Sequence, residues 1–113
     1  MGQLYYGTFD QAIDIPDRVL AHVKVVTATK LRRGESFTLS WRHGEDEPAG
    51  RSTLWMQPSI PLRFVFDNPE PEALDPEYLK RLAHSANSSA GISMTWHEED
   101  AAASAPLKAV PAA

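Results

Sequence analysis

The 113-residue sequence contains no cysteine. A disulfide framework, a thiol nucleophile and a cysteine-ligated zinc site are therefore excluded. The histidines are scattered, and no H-x-x-x-H pair occurs. The four histidines are His22, His43, His84 and His97. We expect these side chains to lie partly exposed at the surface without a metal, and the sequence predicts no cofactor.

Catalytic motifs are also missing. The chain contains neither of the glycine-rich phosphate cradles, G-x-x-x-x-G-K-[ST] and G-x-G-x-x-G, and no G-x-S-x-G nucleophile elbow. The acidic run Glu45, Asp46 and Glu47 lies in a turn-rich loop, where solvation explains the charges better than a cation site does. The sequence predicts no catalytic residue, and an enzyme is not expected.

Long apolar runs are absent too. No segment approaches the ~20 residues that a membrane span needs, and the N-terminus lacks the basic and apolar parts of a secretory signal. We expect a cytoplasmic protein with no membrane partner. The net charge of −4 is unevenly placed, because residues 1–66 carry eight Lys or Arg against seven Asp or Glu, whereas residues 67–113 carry three against eight. This balance argues weakly against a dedicated nucleic-acid binder.

Two short segments at the N-terminus, QLYYG and AIDI around the turn GTFD, predict a hairpin. Asp14 is expected to cap a helix whose first turn holds Pro16 and Asp17. Apolar residues then recur at helical spacing, at Val19, Leu20, Val23, Val26 and Leu31. The β-branched residues 23–29 would also suit a strand, because such side chains lose rotamer freedom in a helix. The flanking start and stop signals favour the helix.

The stop signal is a basic cluster followed by glycine. Cations in the last turn face the negative end of the helix dipole, and Gly34 suits the left-handed position after the helix. A strand with two different sides follows. Its apolar side comprises Phe37, Leu39 and Trp41, and its polar side comprises Ser36, Thr38, Ser40 and Arg42.

Two further strands are predicted at residues 51–57 and, after a break at Pro58 and Pro61, at residues 62–67, which together complete a three-stranded meander. Asp75 and Pro76 begin a second helix, Gly91 ends it, and residues 92–97 form a last strand. The sequence thus predicts a small α+β domain over residues 1–97, with a mainly antiparallel sheet and both helices on one face. Residues 98–113, rich in Ala and Pro, are predicted to be a disordered tail.

The predicted sheet offers one candidate binding face. Trp41 is in step with the apolar side of its strand and belongs to the core, whereas Trp55 is out of step with Leu54 and Met56 and could project outward. An ordinary solvated face of a one-sided sheet explains the same pattern. The candidate phosphate or nucleic-acid ligands are Lys30, Arg32, Arg33, Arg42, Arg51, Arg63 and Trp55, beside the polar face of Ser36, Thr38 and Ser40.

Four tracts, DRVLAHVKVV, KLRRGESFTLSW, GRSTLWMQPSIPLRFVF and SANSSAGI, follow one another in the chain. Over residues 1–97 they resemble a family of short actinobacterial proteins of unknown function. Similar proteins are often labelled ATP-dependent DNA ligase, which implies a link with DNA. The K-x-D-G motif of such ligases does not occur, since the lysines read KVVT, KLRR, KRLA and KAVP. The resemblance therefore does not imply catalytic ligation.

Two functional hypotheses follow. The first is a non-catalytic binding or regulatory module that meets a protein partner, or a second copy of itself, through the open sheet face or the corner at residues 30–33. The second is a nucleic-acid-binding accessory protein of DNA repair or ligation that uses the same basic and aromatic groups. Convergence of Arg42, Arg51, Arg63 and residues 30–33 on one surface would favour the second hypothesis, and scattered charges would favour the first.

Overall fold

The computed structural model describes residues 1–8 and 10–103. Along these residues the elements are β1 (Gly2–Tyr6), β2 (Ile13–Ile15), α1 (Asp17–Arg32), β3 (Phe37–Arg42), β4 (Arg51–Met56), β5 (Leu62–Val65), α2 (Pro76–Asn87), β6 (Ile92–Met94) and α3 (Trp96–Ala103). The α+β class is confirmed. No helix in this part of the chain is long and apolar enough to cross a membrane.

The strands form two sheets rather than one. The first sheet has the order β2-β1-β5 and the second has the order β4-β3-β6. The N-terminal hairpin of β1 and β2 and the β3–β4 hairpin are confirmed, but the three-stranded meander is wrong. β5 leaves β4 and pairs with β1, where Phe64 lies opposite Leu4. The turn that ends at Ile60, and the Gly7 N–H that donates to the Pro61 carbonyl at 2.8 Å, direct the chain to the first sheet.

α1 is helical through residues 23–29, which resolves the ambiguity in favour of the helix. Burial compensates for the weak helix propensity of β-branched residues, because Val23, Val26 and Thr27 are all buried. The expected cap is wrong: Asp14 lies in β2, and Pro16 occupies the N-cap position without a side-chain cap. The helix ends as predicted, with Gly34 at a φ of 73°.

The core lies between the sheets and the helices. α1 packs against β1, whereas α2 packs against β3 and β6, so the helices do not share one sheet face as predicted. The side chains that point inward from the second sheet alternate with polar ones, as the sequence indicates. The buried side chains of that sheet are Phe37, Leu39, Trp41, Met56, Ile92 and Met94.

The C-terminal part differs from the prediction. Asp75 caps α2 as expected, since its side chain accepts a hydrogen bond from the Glu77 N–H at 3.0 Å. The last strand, however, stops at Met94 and runs parallel to β3, and Trp96 begins a third helix. Stacking of Trp96 on Trp41, with ring centroids 5.8 Å apart, holds the start of that helix on the core. Residues 98–103 of the predicted tail are therefore helical, and residues 104–113 lie outside the described part of the chain.

A candidate binding surface on the second sheet

The outer face of the second sheet carries cross-strand pairs of polar and aromatic side chains. Residues that lie directly opposite each other in an antiparallel pair project from the same face. The three outward pairs of β3 and β4 are Thr38 with Trp55, Ser40 with Thr53, and Arg42 with Arg51. On the other side of β3, Ser93 of β6 lies opposite Ser40. The hydroxyls of Thr53, Ser40 and Ser93 therefore form a row across the sheet, and the Ser40 and Thr53 oxygens are 2.7 Å apart.

Two arginines face each other at the hairpin end of this surface. The His43 N–H donates to the Gly50 carbonyl at 2.9 Å, so the next pair, Arg42 with Arg51, is a non-hydrogen-bonded pair with Cα atoms about 4.5 Å apart. Both side chains are exposed, and neither forms a salt bridge with any described residue. Like charges directly opposite each other are unfavourable, and an anion bound between them would relieve the repulsion.

Trp55 lies at the other end of the same face. Its side chain is 53% exposed, whereas Trp41 is buried, so the strand parity of both residues is confirmed. The Tyr6 hydroxyl donates to the Trp55 carbonyl at 2.5 Å, which ties β4 to the first sheet at this point. The indole is therefore presented from a fixed backbone. It lies four positions after Arg51 along β4, a distance of about 13 Å.

Ser36 lies just before β3 and is half-buried. It lines a shallow hollow of 700 Å³ at the Trp55 end of the outer face, together with Glu35, Thr38 and Ser89. Of the polar face predicted from the sequence, Thr38 and Ser40 therefore point outward from the sheet, and Ser36 forms its margin.

Of the remaining basic residues, only Lys30 reaches this surface, where it lines the hollow next to Trp55, and its charge is already engaged. Lys30 is only 8% exposed, and its Nζ donates to Asn87 Oδ1 at 2.6 Å and lies 3.5 Å from Glu35 Oε1. Lys30 thus joins the ends of α1 and α2 and is not available to a phosphate. Arg63 belongs to the first sheet, where its guanidinium lies 5.5 Å from the centre of the Tyr5 ring.

Arg32 and Arg33 are exposed at the end of α1. Arg33 lines a groove of 270 Å³ between α1 and α2, away from the outward pairs of β3 and β4. Of the basic residues selected from the sequence, the structure brings Arg42 and Arg51 together on the face that carries Trp55.

His22 is fully buried, so the expectation that all four histidines are surface residues is wrong. Its Nδ1–H donates to the Arg18 carbonyl at 2.6 Å, and its Nε2 accepts from the Asp75 N–H at 2.9 Å. These two bonds fix one tautomer and connect α1 to the cap of α2. The sequence signal was present, because position 22 is in step with the buried Val19 and Val26.

His43 has a structural role as well. Its Nδ1 lies 3.0 Å from the Pro48 carbonyl, which can only accept, so Nδ1 carries the hydrogen and Nε2 accepts from the Ser52 hydroxyl at 2.7 Å. The ring closes the hairpin loop that contains the acidic residues 45–47. Among the described residues, no group of three His, Asp or Glu side chains is placed to hold a metal ion.

Comparisons with known proteins identify a family but no activity. No curated protein and no solved structure matches the chain significantly. A family model described as Domain of unknown function (DUF7882) matches residues 1–98. A match over this share of the chain confirms the predicted resemblance to a family of unknown function, and the chain belongs to the DUF7882 family.

Proposed function

We propose that this domain is a cytoplasmic, non-catalytic binding module whose outer sheet face binds an acidic segment of a partner protein. The observation that carries the proposal is the pair Arg42 and Arg51, opposed without a carboxylate partner on the face that also exposes Trp55. Folding alone does not favour this arrangement, because opposed like charges are destabilising. Trp and Arg are also the residues most enriched at the energetic centres of protein interfaces.

Charge around the pair favours a partner with few carboxylates over a polyanion. Glu45 and Asp46 are exposed in the hairpin loop that follows Arg42, so a polyanion that extends past the arginines toward this loop meets further negative charge. The net charge of −4 opposes a polyanion as well. A protein segment with one or two acidic residues between neutral ones avoids this repulsion, and its neutral part can pack on Trp55.

Single-stranded nucleic acid is the second candidate. Bases stack on exposed tryptophan in a sequence-tolerant way, while arginine binds phosphate, and about 13 Å between Trp55 and Arg51 spans a short run of nucleotides. The DNA-related label of similar proteins agrees with this candidate. The burial of Lys30 and the position of Arg63 on the other sheet count against it.

A titration monitored by NMR tests both candidates. The protein is titrated with a peptide that has two glutamates between neutral residues and, separately, with an oligothymidylate of about 12 nucleotides at ~50 mM salt. We expect the peptide to shift the side-chain signals of Arg42, Arg51 and Trp55. The double variant Arg42→Gln/Arg51→Gln should lose the shift of the Trp55 indole, whereas the matched variant Arg32→Gln/Arg63→Gln should keep it.

Other outcomes would replace the proposal. Tighter, steeply salt-dependent binding of the oligothymidylate that Trp55→Ala weakens would establish the nucleic-acid function instead. Sedimentation of the free protein tests whether a second copy of the chain binds to the outer face. A dimer that is lost in Trp55→Ala would establish this arrangement. A face that responds to neither ligand, in a monomer, would contradict the binding function.

A further inference from the structure

A cleft with a different chemistry lies on the opposite side of β4. Its volume is 480 Å³, which is in the range of small-molecule sites. Residues of β2 and β4 line it together with side chains of the core and of the hairpin loop. The polar and aromatic lining residues that matter here are Tyr6, Asp14, Trp41, Glu47, Ser52 and Trp96.

The aromatic side chains of this cleft are held in place before any ligand arrives. The rings of Trp41 and Trp96 are stacked at an interplanar angle of 21°, so each fixes the other, and the half-buried Trp96 is the more accessible of the two because Trp41 is only 7% exposed. The Tyr6 ring is fixed by the hydrogen bond from its hydroxyl to the Trp55 carbonyl. Aromatic faces attract cations electrostatically, most strongly for tryptophan. Rigid aromatic groups also lower the entropy cost of binding.

The charges of the cleft have a single sign. Asp14 and Glu47 line it, neither forms a salt bridge with a described residue, and no Lys, Arg or His is among the lining residues. Four other hollows on the described surface each include a cationic residue, such as Arg18, Lys24, Lys30 or Arg33. The aromatic cleft thus carries negative charge with no cation among its own lining residues, while Asp14 also accepts from Gln3 Nε2 at 3.5 Å and interacts electrostatically with the Met1 ammonium.

We propose that this cleft binds an alkylated organic ammonium ion, with a quaternary ammonium group as the best fit. Alkyl groups on the nitrogen pack against the indoles, while ring faces and the two carboxylates balance the charge. A bare metal ion fits poorly, because the described residues provide no three-ligand group. The proposal is independent of the outer sheet face and of its partner.

Choline chloride is the probe, and its neutral isostere, with carbon in place of the charged nitrogen, is the ligand control. We expect calorimetry and the indole signals of Trp41 and Trp96 to report binding of choline and not of the isostere. Glu47→Gln should weaken choline binding about three- to tenfold, because it removes one nearby charge. Glu45→Gln is the matched control, since Glu45 is in the same loop and does not line the cleft.

Further experiments distinguish the possible sources of the ligand. They also separate this proposal from the one for the outer sheet face. A peptide containing trimethyllysine that binds more tightly than choline would indicate a partner side chain as the natural ligand, and the reverse order would indicate a free small molecule. Arg42→Gln/Arg51→Gln should bind choline like the wild type, whatever happens on the outer face. Equal affinity of the wild type and Glu47→Gln, or equal binding of the neutral isostere, would overturn the proposal.

Discussion

Tyr78 combines a well-packed ring with a hydroxyl that has no hydrogen-bond partner. The ring meets His22 edge to face at 4.7 Å, and the Arg81 guanidinium lies 5.0 Å from its centre. The hydroxyl and Glu99 Oε2 are both buried, and neither makes a bond of acceptable geometry with a described residue. Burial and, to a smaller extent, the nearby Glu99 carboxylate raise the pKa of Tyr78 well above its ordinary value.

This raised pKa predicts a loss of stability in alkali. A group with a higher pKa in the folded state stabilises the fold fully below the unfolded value, and the contribution is lost as the pH rises above that value of ~10. We expect the free energy of unfolding of the wild type to fall above about pH 10, by up to ~1.4 kcal/mol per pH unit from this group. Tyr78→Phe should lack that part of the fall, as urea unfolding at several pH values will measure.

At neutral pH the same variant should change the free energy of unfolding by less than about 1 kcal/mol, because it removes a buried hydroxyl with no well-aligned hydrogen bond together with its interaction with the Glu99 carboxylate. Tyr5→Phe is the control for loss of a tyrosine hydroxyl elsewhere, since Tyr5 is half-buried on the first sheet. Parallel stability curves for the wild type and Tyr78→Phe would contradict this account.

Among the elements, β6 depends on the glycine that precedes it. Gly91 has a φ of 70°, and a Cβ placed there would overlap the Thr38 hydroxyl and lie 2.5 Å from the Thr38 carbonyl oxygen. Gly34 has nearly the same φ, 73°, but a Cβ there would meet nothing within 4 Å. The two positions therefore differ in steric contact and share the same backbone strain.

Replacement of each of these glycines by alanine separates the energetic cost of left-handed backbone strain from the cost of steric overlap. We expect Gly34→Ala to lower the free energy of unfolding by about 1 kcal/mol, from left-handed backbone strain alone. Gly91→Ala should cost about 2 kcal/mol more, because β6 must move away from β3. Urea unfolding measures both values, and hydrogen exchange of the β6 amides should rise in Gly91→Ala only. Equal costs for the two variants would show that β6 can move without penalty.

Local patterns in the sequence predict most individual helices and strands. They fail where the pairing joins segments that are far apart in the chain. The alternation of Phe37, Leu39 and Trp41, the cap at Asp75 and the helix end at Gly34 depend on neighbours in the chain, and all are confirmed. The pairing of β5 with β1 joins residues about 60 positions apart, and no local signal favours it over the nearer β4. Trp96 begins a helix because it stacks on Trp41, which is equally a tertiary effect.

For the candidate site too, local patterns predict one part and contacts between distant residues determine the rest. Strand parity predicted that Thr38, Ser40 and Trp55 share an outward face, because parity is local. It does not predict that the Lys30 ammonium donates a hydrogen bond to Asn87, 57 residues away. This bond makes one charge of the basic cluster unavailable to a ligand. The aromatic cleft was not predicted at all, since its lining comes from both sheets and from α3.

Across the whole molecule, β4 separates two surfaces of opposite charge. The outer face of the second sheet carries Arg42 and Arg51, and the cleft on the other side carries Asp14 and Glu47. Opposed like charges on neighbouring strands are unfavourable. The unpaired arginines should therefore lower the stability of the free domain, and that cost is measurable.

Removal of one arginine should stabilise the fold while it weakens anion binding. Opposed like charges in a non-hydrogen-bonded pair cost up to ~1 kcal/mol, so Arg51→Gln should raise the free energy of unfolding by about 0.5 kcal/mol at low salt. The gain should vanish in about 1 M salt, where the Debye length is ~3 Å. Arg63→Gln is the matched control on the first sheet, where loss of the contact with Tyr5 should give no gain. A less stable Arg51→Gln at low salt would show that the pair is not repulsive and that folding, rather than an anionic partner, explains why both arginines are present.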